Sequence, residues 1–315
     1  LGSQRCLEHL LNHPGNFTAS KLRWVKENEP DNFKRIDKIM LPGDWVAMKL
    51  TGKAATTESG LSEMILWDFK NARPADFLMD YYEISPQVLP EIVPTFGVQG
   101  HVTAAAAAEV GLAEGTPVAY RAGDQPNNAL SLNVLNPGEV AATAGTSGVV
   151  YGISESPVFD VKSRVNSFLH VNNSRQTPRI GVLLCVNGTG RLNSWLKHNL
   201  NVGDYPDMNA KAAQVPLGAE GLVVLPYGNG AERTLENRNI GAAVCRLDLN
   251  THHIGHLLRA SQEGIVFALN YGLDIMKSMG IDIRTVRAGK ANMFLSPLFA
   301  QTFATLTDTT VELYN

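Results

Sequence analysis

The stretch Pro117-Val118-Ala119-Tyr120-Arg121-Ala122-Gly123-Asp124 reads as a short buried strand that runs into a glycine and an acid, since a brief apolar run closed by glycine is how an interior strand ends. This predicts Asp124 at the C-terminal tip of that strand, followed by the amides of Gln125, Asn127 and Asn128. Working outward, Glu139–Ala144, the turn Gly145-Thr146-Ser147-Gly148 and residues 149–153 predict a hairpin. Strands and helices then alternate. A strand at 180–186 leads through Asn187-Gly188-Thr189-Gly190 into a helix with Leu192, Trp195, Leu196 and Leu200 on one face. A strand at 221–226 precedes a long helix whose apolar stripe runs from Ile254 to Met276 and stops at Gly280. A strand at 283–288 turns at Gly289-Lys290 into a helix through Phe294, Leu298 and Phe303. Such alternation predicts an α/β fold whose glycine turns can offer backbone amides to anions.

Before Pro117 the chain is helix-rich, with amphipathic stretches at 21–28 and 43–50 and a short alanine-rich helix at 104–108 ended near Gly111. A length of 315 residues, at roughly 150 per domain, predicts two domains. Asn136-Pro137-Gly138 marks the joint, giving domains 1–134 and 135–315. With 27 basic against 30 acidic side chains and no basic run longer than a pair, nucleic acid is not the expected partner. No stretch reaches the roughly eighteen apolar residues of a membrane helix, and the three scattered cysteines suit neither a disulfide framework nor a zinc site. A reducing cytoplasm is the expected compartment. His252, His253 and His256 have no carboxylate in register and read as a solvated helix start.

Three loops carry the chemistry. A carboxylate after a strand-end glycine, surrounded by amides that can bond hydroxyls, suits a polyol site in which Asp124 takes a hydroxyl proton; the same segment alone equally suits a helix cap. In Gly145-Thr146-Ser147-Gly148, glycines let a phosphate approach backbone N–H groups and two hydroxyls add hydrogen bonds, although the same four residues also make ordinary hairpins. The turn is no nucleophile elbow, because Val149 stands where that motif needs glycine. Neither a Walker A loop nor a Gly-x-Gly-x-x-Gly fingerprint occurs. Arg287-Ala288-Gly289-Lys290-Ala291-Asn292 is a strand-to-helix turn able to hold a base and ribose, with Lys290 near the phosphates.

Taken in order, these loops resemble the FGGY carbohydrate kinases, and within them the branch that phosphorylates xylulose. The resemblance extends over Lys21-Leu22-Arg23-Trp24-Val25-Lys26-Glu27-Asn28-Glu29-Pro30, Leu41-Pro42-Gly43-Asp44-Trp45, Lys49-Leu50-Thr51-Gly52, Leu225-Pro226-Tyr227, Glu232-Arg233-Thr234, Arg259-Ala260 and Glu263-Gly264, besides the loops already quoted. It implies two actin-like, ribonuclease H-like ATPase domains with an interdomain cleft, the first holding sugar and the second ATP with Mg2+. By the same resemblance Asp124 is the catalytic base and Gln125 a sugar contact. Gly145, Thr146 and Ser147 fall on a phosphate loop, Gly190 on a glycine near the nucleotide, and Ala288, Gly289 and Asn292 on the adenosine motif. The implied reaction is phosphorylation of D-xylulose to D-xylulose 5-phosphate. The alternatives are a kinase for ribulose, fuculose, gluconate or glycerol, or a non-catalytic sugar-responsive regulator. A homodimer is left open. The chain departs from the family at Gln125-Pro126, where Asn-Ala is common, and at Arg287 to Ala291, where Gly-Gly-Gly-Ala is usual. The family's opening Asp-x-Gly-Thr loop has no counterpart, so the chain reads as a fragment with both domains incomplete, expected to be inactive alone.

Overall fold

The computed structural model describes residues 1–315. The chain divides into two compact units, one made of Leu1–Leu130, Glu155–Val161 and Ser167–Gly181, the other of Ser131–Ser154, Lys162–Asn166 and Val182–Asn315. The return of 155–161 and 167–181 to the first unit leaves no mark in hydrophobic periodicity.

The first unit is helix-rich, as expected: α1 (Ser3–Leu10), α2 (Thr18–Asn28), α3 (Pro30–Phe33), α4 (Pro42–Thr51), α5 (Glu58–Glu63), α6 (Asp76–Tyr82), α7 (Ala104–Val110) and α8 (Asp124–Ser131). Its strands come in pairs. β1 (Ala55–Thr56) is parallel to β4 (Glu91–Ile92), β2 (Trp67–Asp68) antiparallel to β3 (Arg73–Pro74), and β5 (Phe96–His101) antiparallel to β6 (Pro117–Tyr120). The ends of the helices that matter below are set by side chains. The Asp44 carboxylate accepts the Leu41 N–H at 3.2 Å at the start of α4, and the Thr57 hydroxyl accepts the Gly60 N–H at 3.0 Å at the start of α5. One expectation is corrected here. β6 is not a buried strand: it pairs with β5 alone and alternates between exposed and half-buried residues. It also ends at Tyr120, so Asp124 is carried by a three-residue turn and opens α8.

The second unit is built on a mixed sheet ordered β14-β13-β7-β8-β10, comprising β7 (Glu139–Ala144), β8 (Gly148–Ser154), β10 (Ile180–Val186), β13 (Thr285–Gly289) and β14 (Thr310–Tyr314), whereas β9 (Asn166–Leu169) falls almost wholly in the first unit. β7 and β8 form the expected antiparallel hairpin, and β13 is parallel to both β7 and β14. β11 (Val223–Tyr227) and β12 (Gly241–Cys245) make a separate antiparallel pair. The helices are α9 (Thr189–Asn199), α10 (Tyr205–Ala213), α11 (Ile254–Ser278) and α12 (Pro297–Thr307). The stripe on α11 is a core element: Leu258, Ile265, Leu269, Leu273 and Met276 are each at most 1% exposed, and each such side chain gains about 1.5–3 kcal/mol by leaving water.

Two further readings change. The helix expected through Phe294 to Phe303 is broken at Ser296, because Pro297 has no N–H for a helix to continue through. A 3-10 turn, Asn292–Leu295, comes first, and α12 then starts with Ser296 as its cap. Phe294, Phe299 and Phe303 still pack together. Leu192, Trp195, Leu196 and Leu200 do share one face of α9, all four lining one cavity, with Trp195 54% exposed and Leu196 buried. His256 is not solvated: it is 4% exposed. Its Nδ1 accepts the His253 N–H at 3.2 Å, leaving Nε2 to donate to the Glu220 carboxylate at 2.7 Å. That arrangement is a helix start tied down by imidazoles.

Candidate active site

In the first unit, the turn after β6 faces a cavity of about 470 Å³, lined by Asp44, Thr57, Glu63, Arg121, Asp124 and Asn127 among others, a size typical of small-molecule sites. Asp124 is exposed at this cavity, and its carboxylate accepts only the neighbouring Gln125 N–H, at 2.7 Å. It is the first residue of α8, not a cap bonded to amides further along the helix, which leaves its carboxylate accessible to a hydroxyl donor. Each residue of the turn before it is held separately. Arg121 Nε donates to Asp44 Oδ1 at 2.7 Å and its Nη1 to Gln99 Oε1 at 2.8 Å. The Ala122 carbonyl accepts the Asn127 side-chain amide at 2.9 Å, and Tyr120 Oη donates to Asn127 Oδ1 at 2.6 Å. The Gly123 N–H donates to Glu63 Oε1 at 3.2 Å.

The side chains of Asp44 and Arg121 are 5% and 10% exposed. Asp44 also accepts the Thr56 hydroxyl at 2.8 Å, while Arg121 Nη2 is buried without a partner. Burial pushes the Glu63 carboxyl up to about 7; the Gly123 N–H works against this, and the carboxylates of Asp124 and Asp44 add to it. Burial, helped by the Glu63 charge, likewise pushes the Tyr120 hydroxyl up to about 12, so it remains a donor. The Gln125 side chain lies off this cavity, with its Oε1 buried and unpartnered. Glu63 carried no signal in sequence reasoning, and Asp44 and Arg121, though within quoted stretches, were given no place in the site, because the contacts that join these residues span 60 and 77 residues.

In the second unit, a cavity of about 850 Å³ has Gly145, Thr146, Gly190 and Asn292 in its wall. The hairpin turn and the start of α9 are bonded through their backbones: Gly190 N–H donates to the Gly145 carbonyl at 2.9 Å and Arg191 N–H to the Thr146 carbonyl at 3.2 Å. The Thr189 hydroxyl adds a bond to Gly145 at 3.0 Å. The amides of Gly190 and Arg191 are therefore used to fix the turn. Gly190 must be glycine, since a Cβ there would lie 2.3 Å from the Gly145 oxygen.

Ser147, Ala288 and Gly289 are not among the lining residues. Ala288 is fully buried, and Gly289 is the last residue of β13. Arg287 is turned away to brace the sheet, 3.1 Å from Glu139 and 2.8 Å from Glu312, and it also donates to the Asn133 carbonyl. Lys290 is exposed and not part of the wall. The structure adds Arg191, the one charged residue of the lining, and an amide pair, Gln262 and Asn209. Gln262 Nε2 donates to Asn209 Oδ1 at 2.9 Å and leaves Gln262 Oε1 buried without a partner.

No group of three or more His, Cys, Asp or Glu side chains is gathered to hold a metal ion. No helix is long and apolar enough to cross a membrane.

Similar proteins were found at both levels. Xylulose kinase of Haemophilus influenzae is 30% identical over 292 residues, 90% of this chain and 57% of that protein. Xylulose kinase of Bacillus subtilis is 28% identical over 89% of this chain and 56% of its own length. The crystal structure of xylulose kinase from Rhodospirillum rubrum superposes with a TM-score of 0.88 at 27% identity, covering 99% of this chain and 63% of that one. The chain thus spans a little over half the length of the curated relatives it matches. Residues 8–131 match the N-terminal domain, and residues 140–315 the C-terminal domain, of the FGGY family of carbohydrate kinases. By fold, sequence and the order of its two domains, with the actin-like α/β architecture this brings, the chain belongs to the FGGY family of carbohydrate kinases.

Proposed function

We propose that the protein carrying this chain transfers the γ-phosphoryl group of ATP to the terminal hydroxyl of a ketopentose, D-xylulose before others, in the cytoplasm. The observation that carries this reading is the elbow at Asp124: an accessible carboxylate on a turn whose three preceding residues are each fixed by a separate hydrogen bond. A base so held needs no reorganisation when a hydroxyl arrives. The sugar oxygen forms a bond to phosphorus as the bond to ADP breaks, and its proton passes to Asp124.

The second cavity supports a nucleotide. Its wall holds a backbone turn at Gly145 and Thr146, a single cation at Arg191 and no carboxylate, which suits a polyphosphate. The amides of Asn209 and Gln262 suit the hydrogen-bonding edge of a base. Bound Mg-ATP supplies the phosphoryl group. Mg2+ would be carried by the ATP phosphates. The similarity to xylulose kinases supports the choice of sugar.

Measuring ADP release by the full-length protein over D-xylulose, ribulose, fuculose, gluconate and glycerol tests the reading. D-xylulose should give the highest kcat/KM. Calorimetry showing sugar binding with no turnover on any of the five would replace the enzyme with a regulator.

A further inference from the structure

Of the three residues of the turn before Asp124, two are held by carboxyls, Arg121 by Asp44 and Gly123 by Glu63, and the proposed reaction has no use for Glu63. Glu63 is the last residue of α5, whose start is capped by Thr57. Its Oε1 accepts the Gly123 N–H, and its carboxyl lies so close beneath the turn that a Cβ on Gly123 would sit 1.9 Å from Oε2. Glycine at 123 and glutamate at 63 therefore fit as a pair, with the glycine allowing the acid to come directly under the backbone that leads into Asp124.

The other two locks differ in kind. One is a buried ion pair at Arg121 and the other an amide at Asn127. Around Glu63 stand Asp44 from α4, Arg121 from the turn, Tyr120 from β6, and Asp124 and Asn127 from α8. Three of the four charged neighbours and partners in this group, counting Glu63 itself, are acids. Holding an ionised Glu63 here is unfavourable for stability. Such a cost at the elbow of a base marks a group kept for function.

We propose that Glu63 is the positioning residue for Asp124: its ionised carboxylate holds the Gly123 N–H and so aims the base, and a proton gained there loosens the elbow. The proposal rests on Asp124 being the base. A charged acceptor forms a hydrogen bond roughly twice as strong as a neutral one. Since burial and the neighbouring acids push Glu63 up to about 7, the change falls within the working pH range of an ordinary enzyme.

Two readouts test this in the full-length protein. In the pH profile of kcat/KM for D-xylulose with Mg-ATP, the wild type should fall about tenfold from the plateau to one unit below the Glu63 midpoint near 7. Glu63→Gln keeps an acceptor for Gly123 and should be slower but flat over that range. Glu63→Ala should lose about 10- to 100-fold in kcat with sugar KM within about threefold, because the base is misplaced while the sugar contacts remain. The second readout needs no turnover: the Gly123 amide resonance should titrate near pH 7 in the wild type and not in Glu63→Gln. An inflection near 7 that persists in Glu63→Gln, a Gly123 amide indifferent to pH, or full kcat in Glu63→Ala would each overturn the proposal. Asp124→Asn with wild-type turnover would instead sink the assignment of the base, whatever the Glu63 variants do.

Discussion

The two cavities are built from opposite materials. The one at Asp124 is made by charged side chains, with Asp44, Glu63 and Asp124 set against Arg121. The one at Gly145 is made by backbone, amides and a single cation. The first is an elbow that leads into a helix and the second a hairpin turn set against the start of one; the first is locked by side chains reaching from α4, α5 and α8, and the second by main-chain bonds from α9 to the hairpin turn. The difference follows from the job each is proposed to do. Moving a proton requires a titratable group in fixed orientation, and neighbouring charges set its readiness. Cradling a polyphosphate requires close approach of backbone and the exclusion of carboxylates, which would repel it.

The contrast can be broken most severely at Arg121. Arg121→Ala leaves Asp44 as a buried, unpaired charge, and should cost about 3–5 kcal/mol of first-unit stability in denaturant unfolding; a loss under about 1 kcal/mol would mean the ion pair does not hold the elbow. At the backbone-built cavity, Gly190→Ala should cost about 3 kcal/mol by forcing the turn away from α9. It should also weaken ATP binding by calorimetry at least tenfold, while D-xylulose affinity stays unchanged. Loss of both affinities would show that the two cavities are not separable in this way.

Acid sensitivity should belong to the first cavity. Glu63 has its carboxyl raised from 4.5 to about 7 in the folded state, so the folded protein binds the extra proton between these values. Its contribution to stability is therefore fully present below pH 4.5 and lost as pH rises through about 7. For a half-buried group this amounts to about 2 kcal/mol. Thermal melts should show Glu63→Gln more stable than wild type at pH 8 and no more stable at pH 4.5. The smallest effect serves as a control. Lys162 and Glu236 form an ion pair 3.1 Å long with side chains 54% and 44% exposed, and Lys162→Ala should change stability by under about 0.5 kcal/mol.

Much of this was legible in the sequence, for physical reasons that differ by region. The hairpin at Gly145 and the stripe of α11 follow from local periodicity and turn chemistry, which the chain carries within a few residues. Asp124 could be singled out because a glycine-acid pair after an apolar run is a local pattern too. What surrounds it could not. Glu63 sits in a short polar helix with nothing to mark it, and Asp44 is one of several acids at helix starts; only folding brings them to the turn. The strand before Asp124 was misread as buried because its apolar residues face a single partner strand. Periodicity placed Trp195 on the right face but could not say that it would stay 54% exposed there, because it does not tell how far a neighbouring element extends over a face. The buried His256 needed Glu220, 36 residues away, to explain it.

The central claim, that Asp124 accepts the proton of the attacking hydroxyl, is tested most directly by separating sugar binding from turnover in Asp124→Asn of the full-length protein. Calorimetry should give a D-xylulose affinity within about threefold of wild type, since the amide keeps the shape of the carboxylate and one acceptor oxygen. The kcat should fall about 10²–10⁴-fold with the loss of the base. A variant that binds D-xylulose and turns it over at the wild-type rate would contradict the account.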